Sequence, residues 1–160
     1  MADVADMADM TEVTDAADPQ TLDRRAPGSY RRWTQEHVRF SDTDMLGHVN
    51  NVAITALHES GRVRYGFELA EQAASSARPF ILAHLAIDFL GELHFPADVR
   101  VGAVLLGVGR TSMTVGTAIF TEDDRCVSTA EGVLVHLGGD GPAPIEGDFR
   151  ALLEAEVPPT

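Results

Sequence analysis

Asp42-Thr43-Asp44-Met45-Leu46-Gly47-His48-Val49-Asn50-Asn51 leads directly into a run reaching Leu69, in which Ile54, Leu57, Gly61 and Tyr65 recur at helical spacing. Upstream, Arg31 to Phe40 reads as a strand. Downstream come four more strand-like runs: Phe80 to Leu90, Val99 to Val108, Ser112 to Thr121 and Cys126 to Leu137. Gly91 with Pro96, Gly109, and Glu122-Asp123-Asp124 punctuate them, and Gly138 to Pro142 ends the last. A short helix, Asp148 to Glu154, is expected at the C-terminus. The order is strand, long helix, four strands, without βαβ alternation. It predicts an α+β domain in which one long helix packs on a curved antiparallel sheet of about five strands. Gly61 costs the helix about 1 kcal/mol relative to Ala, and its expected use is a close approach of helix to sheet.

Composition bounds the function. The chain has 160 residues, which suits one domain with some length left for tails. Residues 1–29 read as a disordered acidic tail and residues 30–160 as the folded domain. The tail repeats Ala, Asp and Met or Val, carries charge largely of one sign, and is broken by Pro19, Pro27 and Gly28. No apolar run approaches the ~20 residues that span a bilayer. The first residues lack the basic and apolar segments of a signal peptide. A single cysteine, Cys126, leaves no intrachain disulfide and no cysteine metal cluster. These features point to the cytoplasm, with no membrane partner. A net charge of −13 argues against a nucleic-acid partner. Any anionic ligand must find a local basic patch on an acidic surface.

The decisive stretch also carries the chemistry. A carboxylate on a short glycine-containing loop just ahead of a helix start lies close to free backbone N–H donors. That pairing suits acyl transfer, in which one group attacks a carbonyl while donors hold the developing oxyanion. Gly47 is expected to adopt a backbone conformation closed to other residues. Taken alone, Asp42 and Asp44 also fit simple turn caps, and His48 fits a surface loop position. Glu59 fits a pocket-lining role or a helix pair with Arg62 three residues on. His48 and His58 match no standard ligand spacing, so no metal site is expected. Ser60 and Ser112 are not on a nucleophile elbow, and no phosphate-cradling glycine loop occurs.

The Asp42–Asn51 stretch closely resembles the 4-hydroxybenzoyl-CoA thioesterase family of hotdog-fold proteins. Many of its bacterial acyl-CoA thioesterases carry Asp-x-Asp-x-x-Gly before a helix opening in Asn or Tyr. The resemblance runs from roughly Thr34 to Leu137, through Glu59, the turn at Asp98 and the turn Gly109-Arg110-Thr111-Ser112. It implies a hotdog fold and hydrolysis of an acyl-CoA to a carboxylic acid and free CoA. Asp44 matches the family's catalytic carboxylate, as nucleophile or general base. The backbone N–H at Asn51 would point at the thioester oxygen, and Gly47 would shape the loop. Relatives often carry an aliphatic residue at the His48 position, so the resemblance does not require it; by its place on the loop His48 fits a second polar group in the site. Glu59 would line the substrate pocket, while Arg110, Thr111 and Ser112 would hold coenzyme A phosphates. No cofactor is called for, since coenzyme A enters as part of the substrate. The resemblance also implies a homodimer or homotetramer. Two other readings stay open: an acyl-CoA-binding hotdog protein without hydrolysis, and a hotdog enoyl-CoA hydratase or dehydratase.

Overall fold

A computed structural model describes residues 22–73 and 80–159. Its elements are β1 (Arg32–His37), α1 (Asn51–Gln72), β2 (Phe80–Phe89), β3 (Asp98–Val108), β4 (Ser112–Thr121), β5 (Cys126–Gly138), β6 (Gly141–Pro142) and α2 (Gly147–Glu156). The main strands pair antiparallel in the order β1-β3-β4-β5-β2, and the short β6 pairs with β5. The connection from β1 to β2 joins the two edges, and α1 packs on β1, β3 and β4 along that path. This is the hotdog arrangement expected from the sequence. β1 stops at His37 rather than at Phe40. Phe40–Asp42 instead forms a 3-10 turn, in which the Asp42 carboxylate accepts from the Arg39 N–H at 2.7 Å.

Period-two alternation along β3 sorts its side chains between two faces. Val101, Ala103 and Leu105 lie under α1, while Val104 faces away from it. Beneath the first half of α1, Ile54 and Leu57 pack with Val38, Val49, Leu93, Val99, Val101, Ile119 and Val127. Beneath its second half, Tyr65 and Leu69 join Leu105, Met113, Val115 and, from the C-terminal segment, Ile145 and Leu153. The expected stripe is therefore the buried one, extended by His58 and Arg62.

The outer face has its own cover, and this moves the expected domain boundary. Tyr30 is buried edge-on against Trp33 and Phe120, with ring centroids 5.8 and 5.7 Å away. Leu22 packs on the same cluster, and the Tyr30 hydroxyl donates to the Arg24 carbonyl at 2.8 Å. Pro27 and Gly28, read from sequence as chain breakers, form a 3-10 turn at Pro27–Ser29. Residues 22–29 thus belong to the folded domain, because the face around Trp33 and Phe120 is apolar and needs covering. The rest of the expected tail, residues 1–21, lies outside the described residues.

Gly61 makes the close approach expected of it. A Cβ built there would lie 2.5 Å from Val101 Cγ1 and 3.0 Å from Val101 Cβ. Neither atom can swing away, because β-branched side chains are stiff and Val101 is fully buried. Gly61→Ala is therefore expected to destabilise by about 1–2 kcal/mol, the overpacking cost exceeding the gain in helix propensity. Its penalty should shrink in a Val101→Ala background. Denaturant unfolding of the four chains checks this, and a more stable Gly61→Ala protein would contradict it.

Candidate active site

The loop between β1 and α1 is held closed on itself. Thr43 and Val49 form a bridge, the Asp44 N–H donates to His48 O at 2.9 Å, and the Gly47 N–H donates to Asp44 O at 3.0 Å. Gly47 takes φ +80°, the left-handed region that favours glycine. Asp44 Oδ1 accepts from the N–H groups of Leu46 and His48 at 2.8 and 3.2 Å. One carboxylate oxygen thus fixes the turn, and the other stays outside these bonds. Asp42 is structural: besides its carboxylate cap, its carbonyl accepts from the Asn50 backbone and side-chain nitrogens at 2.8 and 2.7 Å.

Asn50 caps α1. Its Oδ1 accepts from the Ala53 N–H at 2.9 Å, and its carbonyl accepts from Ile54. Among the described residues, the N–H groups of Asn51 and Val52 have no acceptor, as a helix start requires. Asp44, His48 and Asn51 line one cleft of about 360 Å³ together with Phe89, Glu92 and Leu93. A carboxylate, a helix N-terminus and a polar ring therefore share one wall. Around the loop, Phe40, Leu46 and Val52 are exposed, and Met45 is 98% exposed. None of the four lines the cleft itself, and exposed apolar side chains so close in sequence suit a covering ligand or partner surface.

Glu92 and His94 were missed by sequence reading. They sit between β2 and β3, where Glu92-Leu93-His94 runs extended, with Leu93 buried and its two neighbours turned outward. His94 forms a bridge with His48, and their rings meet edge-on with centroids 4.9 Å apart. The Nε2 atoms of His48 and His94 lie 3.8 and 3.6 Å from Glu92 Oε2. The only local signal was the Glu-x-His alternation, and a single such pair is common in sequences.

The other sequence candidates fall elsewhere. Glu59 is exposed and lies 3.9 Å from Arg62, so the i,i+3 pair is formed. It does not line the cleft. Arg110, Thr111 and Ser112 form the turn after β3. There Arg110 O accepts from Ile145 at 2.8 Å, and Thr111 O accepts from His136 at 2.9 Å. The Asp44 loop abuts the opposite end of β3, through Val38 N–H to Ala97 O at 2.9 Å. β3 has 11 residues, so the two ends are roughly 30 Å apart at the usual strand rise. Within one chain, Arg110 and Asp44 do not share a site.

A buried His58 forms a second polar cluster. Ser128 Oγ donates to Asp88 O at 2.8 Å, so it accepts from His58 Nε2–H at 2.9 Å. His58 Nδ1 then accepts from Thr117 Oγ1 at 2.8 Å. The serine proton goes to a carbonyl rather than to the imidazole. The cluster is fully buried and is a structural pin joining α1 to β4 and β5, not a nucleophilic pair. Burial, aided by the nearby Arg62 charge, pushes His58 down to about 4. Cys126 is half-buried: burial raises its thiol, and its Sγ contacts Ser128 O at 3.6 Å.

Comparison with known proteins adds the family. Residues 38–153 match the sequence profile of the thioesterase-like superfamily. The uncharacterized Bacillus subtilis protein YsmA is 29% identical over 87 residues, covering 54% of this chain and 59% of YsmA. The match thus spans little more than half of that relative. A Thermus thermophilus thioesterase, solved with coenzyme A and Zn, is 29% identical with a TM-score of 0.67, covering 78% of this chain and 98% of the other. A predicted thioesterase from Bacillus stearothermophilus is 27% identical with a TM-score of 0.69, covering 79% and 96%. Among the described residues no helix is long and apolar enough to cross a membrane.

The His58 pin sets a pH dependence of stability. Its folded value, about 4, lies below the ordinary value of 6.5, so the folded state binds fewer protons. Its contribution is complete above pH 6.5 and is lost as pH falls from there through 4. A shift of this size corresponds to about 3 kcal/mol. Denaturant midpoints measured across that window should fall more steeply for the native protein than for His58→Gln. Parallel curves would remove the pin from the account.

Proposed function

We propose, on the premise that the chain belongs to the thioesterase-like superfamily, that it hydrolyses an acyl-CoA thioester, with Asp44 as nucleophile or general base. The observation that carries this reading is the Asp44 carboxylate beside the unpartnered N–H groups of the α1 start, in one cleft. The free oxygen of Asp44 would attack the thioester carbonyl or take a proton from the attacking water. The Asn51 N–H, aided by the helix dipole, would hold the oxyanion. One such donor is worth about 3–4 kcal/mol of barrier. A thiolate leaves readily, so one carboxylate suffices and no acid partner is needed. The coenzyme A held by the Thermus relative supports the substrate class. The exposed apolar rim at Phe40, Met45 and Leu46 suits an acyl group or the surface that encloses it.

The hydratase reading wants an Asp/His pair poised over an enoyl group. Here the His48 ring turns toward Glu92 and His94, and Asp44 receives the His48 backbone N–H instead. That favours hydrolysis. Free-thiol release from a panel of acyl-CoA thioesters separates hydrolysis from hydration and from binding alone.

Asp44→Asn keeps an oxygen to accept from Leu46 and His48, so the turn persists while charge and basicity are lost. Turnover is expected to fall at least ~100-fold with the melting temperature retained. Activity within a few-fold of the native protein would place the chemistry elsewhere.

Arg110 lies too far from Asp44 to serve its own chain's cleft, so it would grip the nucleotide bound to a second copy. β2 is an open edge of the sheet, with Ile81, Leu82 and Phe89 exposed, and exposed edges invite such pairing. Arg110→Ala should raise KM for acyl-CoA and spare kcat, because phosphates bind alike in ground and transition states. Mixing Arg110→Ala with Asp44→Asn chains should restore a low-KM fraction, since one site of each mixed dimer keeps both residues. A strictly additive mixture, or an active monomer by light scattering, would defeat the shared site.

A further inference from the structure

We propose that His48, Glu92 and His94 form a binding site for a divalent transition ion of the zinc class, at the edge of the Asp44 cleft. One ligand atom from each lies within 4.8 Å of the other two. The three come from two separate segments. His48 sits on the Asp44 loop, while Glu92 and His94 precede β3 and project from the same side of an extended run whose middle residue, Leu93, is buried.

The orientation of the rings is the stronger point. His94 Nδ1 lies 3.1 Å from Gly47 O. A carbonyl can only accept, so Nδ1 carries the proton and Nε2 presents its lone pair. A histidine ligand held by a backbone carbonyl through its other nitrogen is the usual arrangement at metal sites. That lone pair faces Glu92 Oε2 at 3.6 Å, and His48 Nε2 faces the same oxygen at 3.8 Å. The rings stand at 86° to each other, so they converge on Glu92 from two directions. Ligands on a tetrahedral zinc lie about 3.4 Å apart, given bond lengths near 2.1 Å. Closing the gaps requires small rotations of Glu92, which is exposed, and of the two rings. The His48–His94 bridge and the Val49 N–H to Leu93 O bond, at 2.7 Å, already hold the two backbones together.

The donor set selects the ion. Two imidazoles and one carboxylate suit Zn²⁺ or Co²⁺, whereas Mg²⁺ and Ca²⁺ seek oxygen ligands in larger number. A net charge of −13 raises the local cation concentration further. With three protein ligands, a fourth position stays open toward the cleft. Occupied, the site would brace the Asp44 turn against the segment before β3.

Tag-free full-length protein titrated with Co²⁺ tests this without any substrate, so the outcome is independent of the thioesterase reading. One Co²⁺ per chain is expected, with the strong visible absorption of a low-coordinate centre, displaced by Zn²⁺. Glu92→Gln and His94→Ala should each weaken binding at least ~10-fold. Glu92→Gln leaves the backbone bonds of the loop and the His94–Gly47 contact in place, so it stays informative if His94→Ala loosens the turn. His37→Ala, on the exposed His37–Asp98 pair, should leave the titration unchanged. Absence of saturable 1:1 binding overturns the proposal. So does binding that survives both ligand substitutions or falls equally in His37→Ala.

Discussion

The seating of α1 on the sheet is the constraint from which the rest follows. It is set where Gly61 meets Val101, with no room for even one added carbon. One turn away, the His58 imidazole bonds to hydroxyls on β4 and β5. Apolar contact sets the distance between layers, but it is non-directional and would permit the helix to slide. The hydrogen-bonded imidazole fixes position along the strands. With the helix body pinned, its first turn has one place to go. The Asn50 cap then ties that turn to the Asp42 carbonyl, and through it to the loop bearing Asp44.

The loop is thus a relay of short-range bonds built on a fixed helix. Asp42 and Asn50 satisfy backbone groups, Gly47 permits the reversal, and Asp44 uses one oxygen for the turn. A carboxylate so held is both oriented and half available. Under the proposed reading, pre-organisation of this kind would let few residues suffice for acyl transfer, because donors and attacking group need not be gathered when substrate arrives.

The two ends of the sheet carry different groups. The end near Ala97 carries the cleft, with apolar side chains around its rim. The other end carries the Arg110 turn, braced by the C-terminal segment through Ile145 and by Arg150, whose Nη1 donates to Gly109 O at 3.0 Å. On an acidic chain, placing a cation far from the carboxylate avoids neutralising it. On the proposed reading, it also makes a complete substrate site depend on a second copy.

Local pattern was enough for the elements. Strand alternation, the helical stripe Ile54-Leu57-Gly61-Tyr65 and the turn glycines are all short-range signals, and β3, β4 and β5 fall within a residue or so of expectation. The Asp44 turn was legible for the same reason, since the bonds that close it join residues at most eight apart, whereas its tie to Leu93 through Val49 is long-range. The docking of Leu22 was not legible, because that segment is bound or free according to what the distant Val104, Ala118 and Phe120 leave exposed. His58 read as a helix residue, and only the strands passing over it supply its partners. Glu92 and His94 meet His48 across more than forty positions, through a bridge that no periodicity encodes. The sequence by itself determined which segments are strand, turn and helix, and which carboxylate stands before the helix. Tertiary structure alone decided which side chains share a cleft, because that depends on sheet order and register, set by the packing of all segments at once.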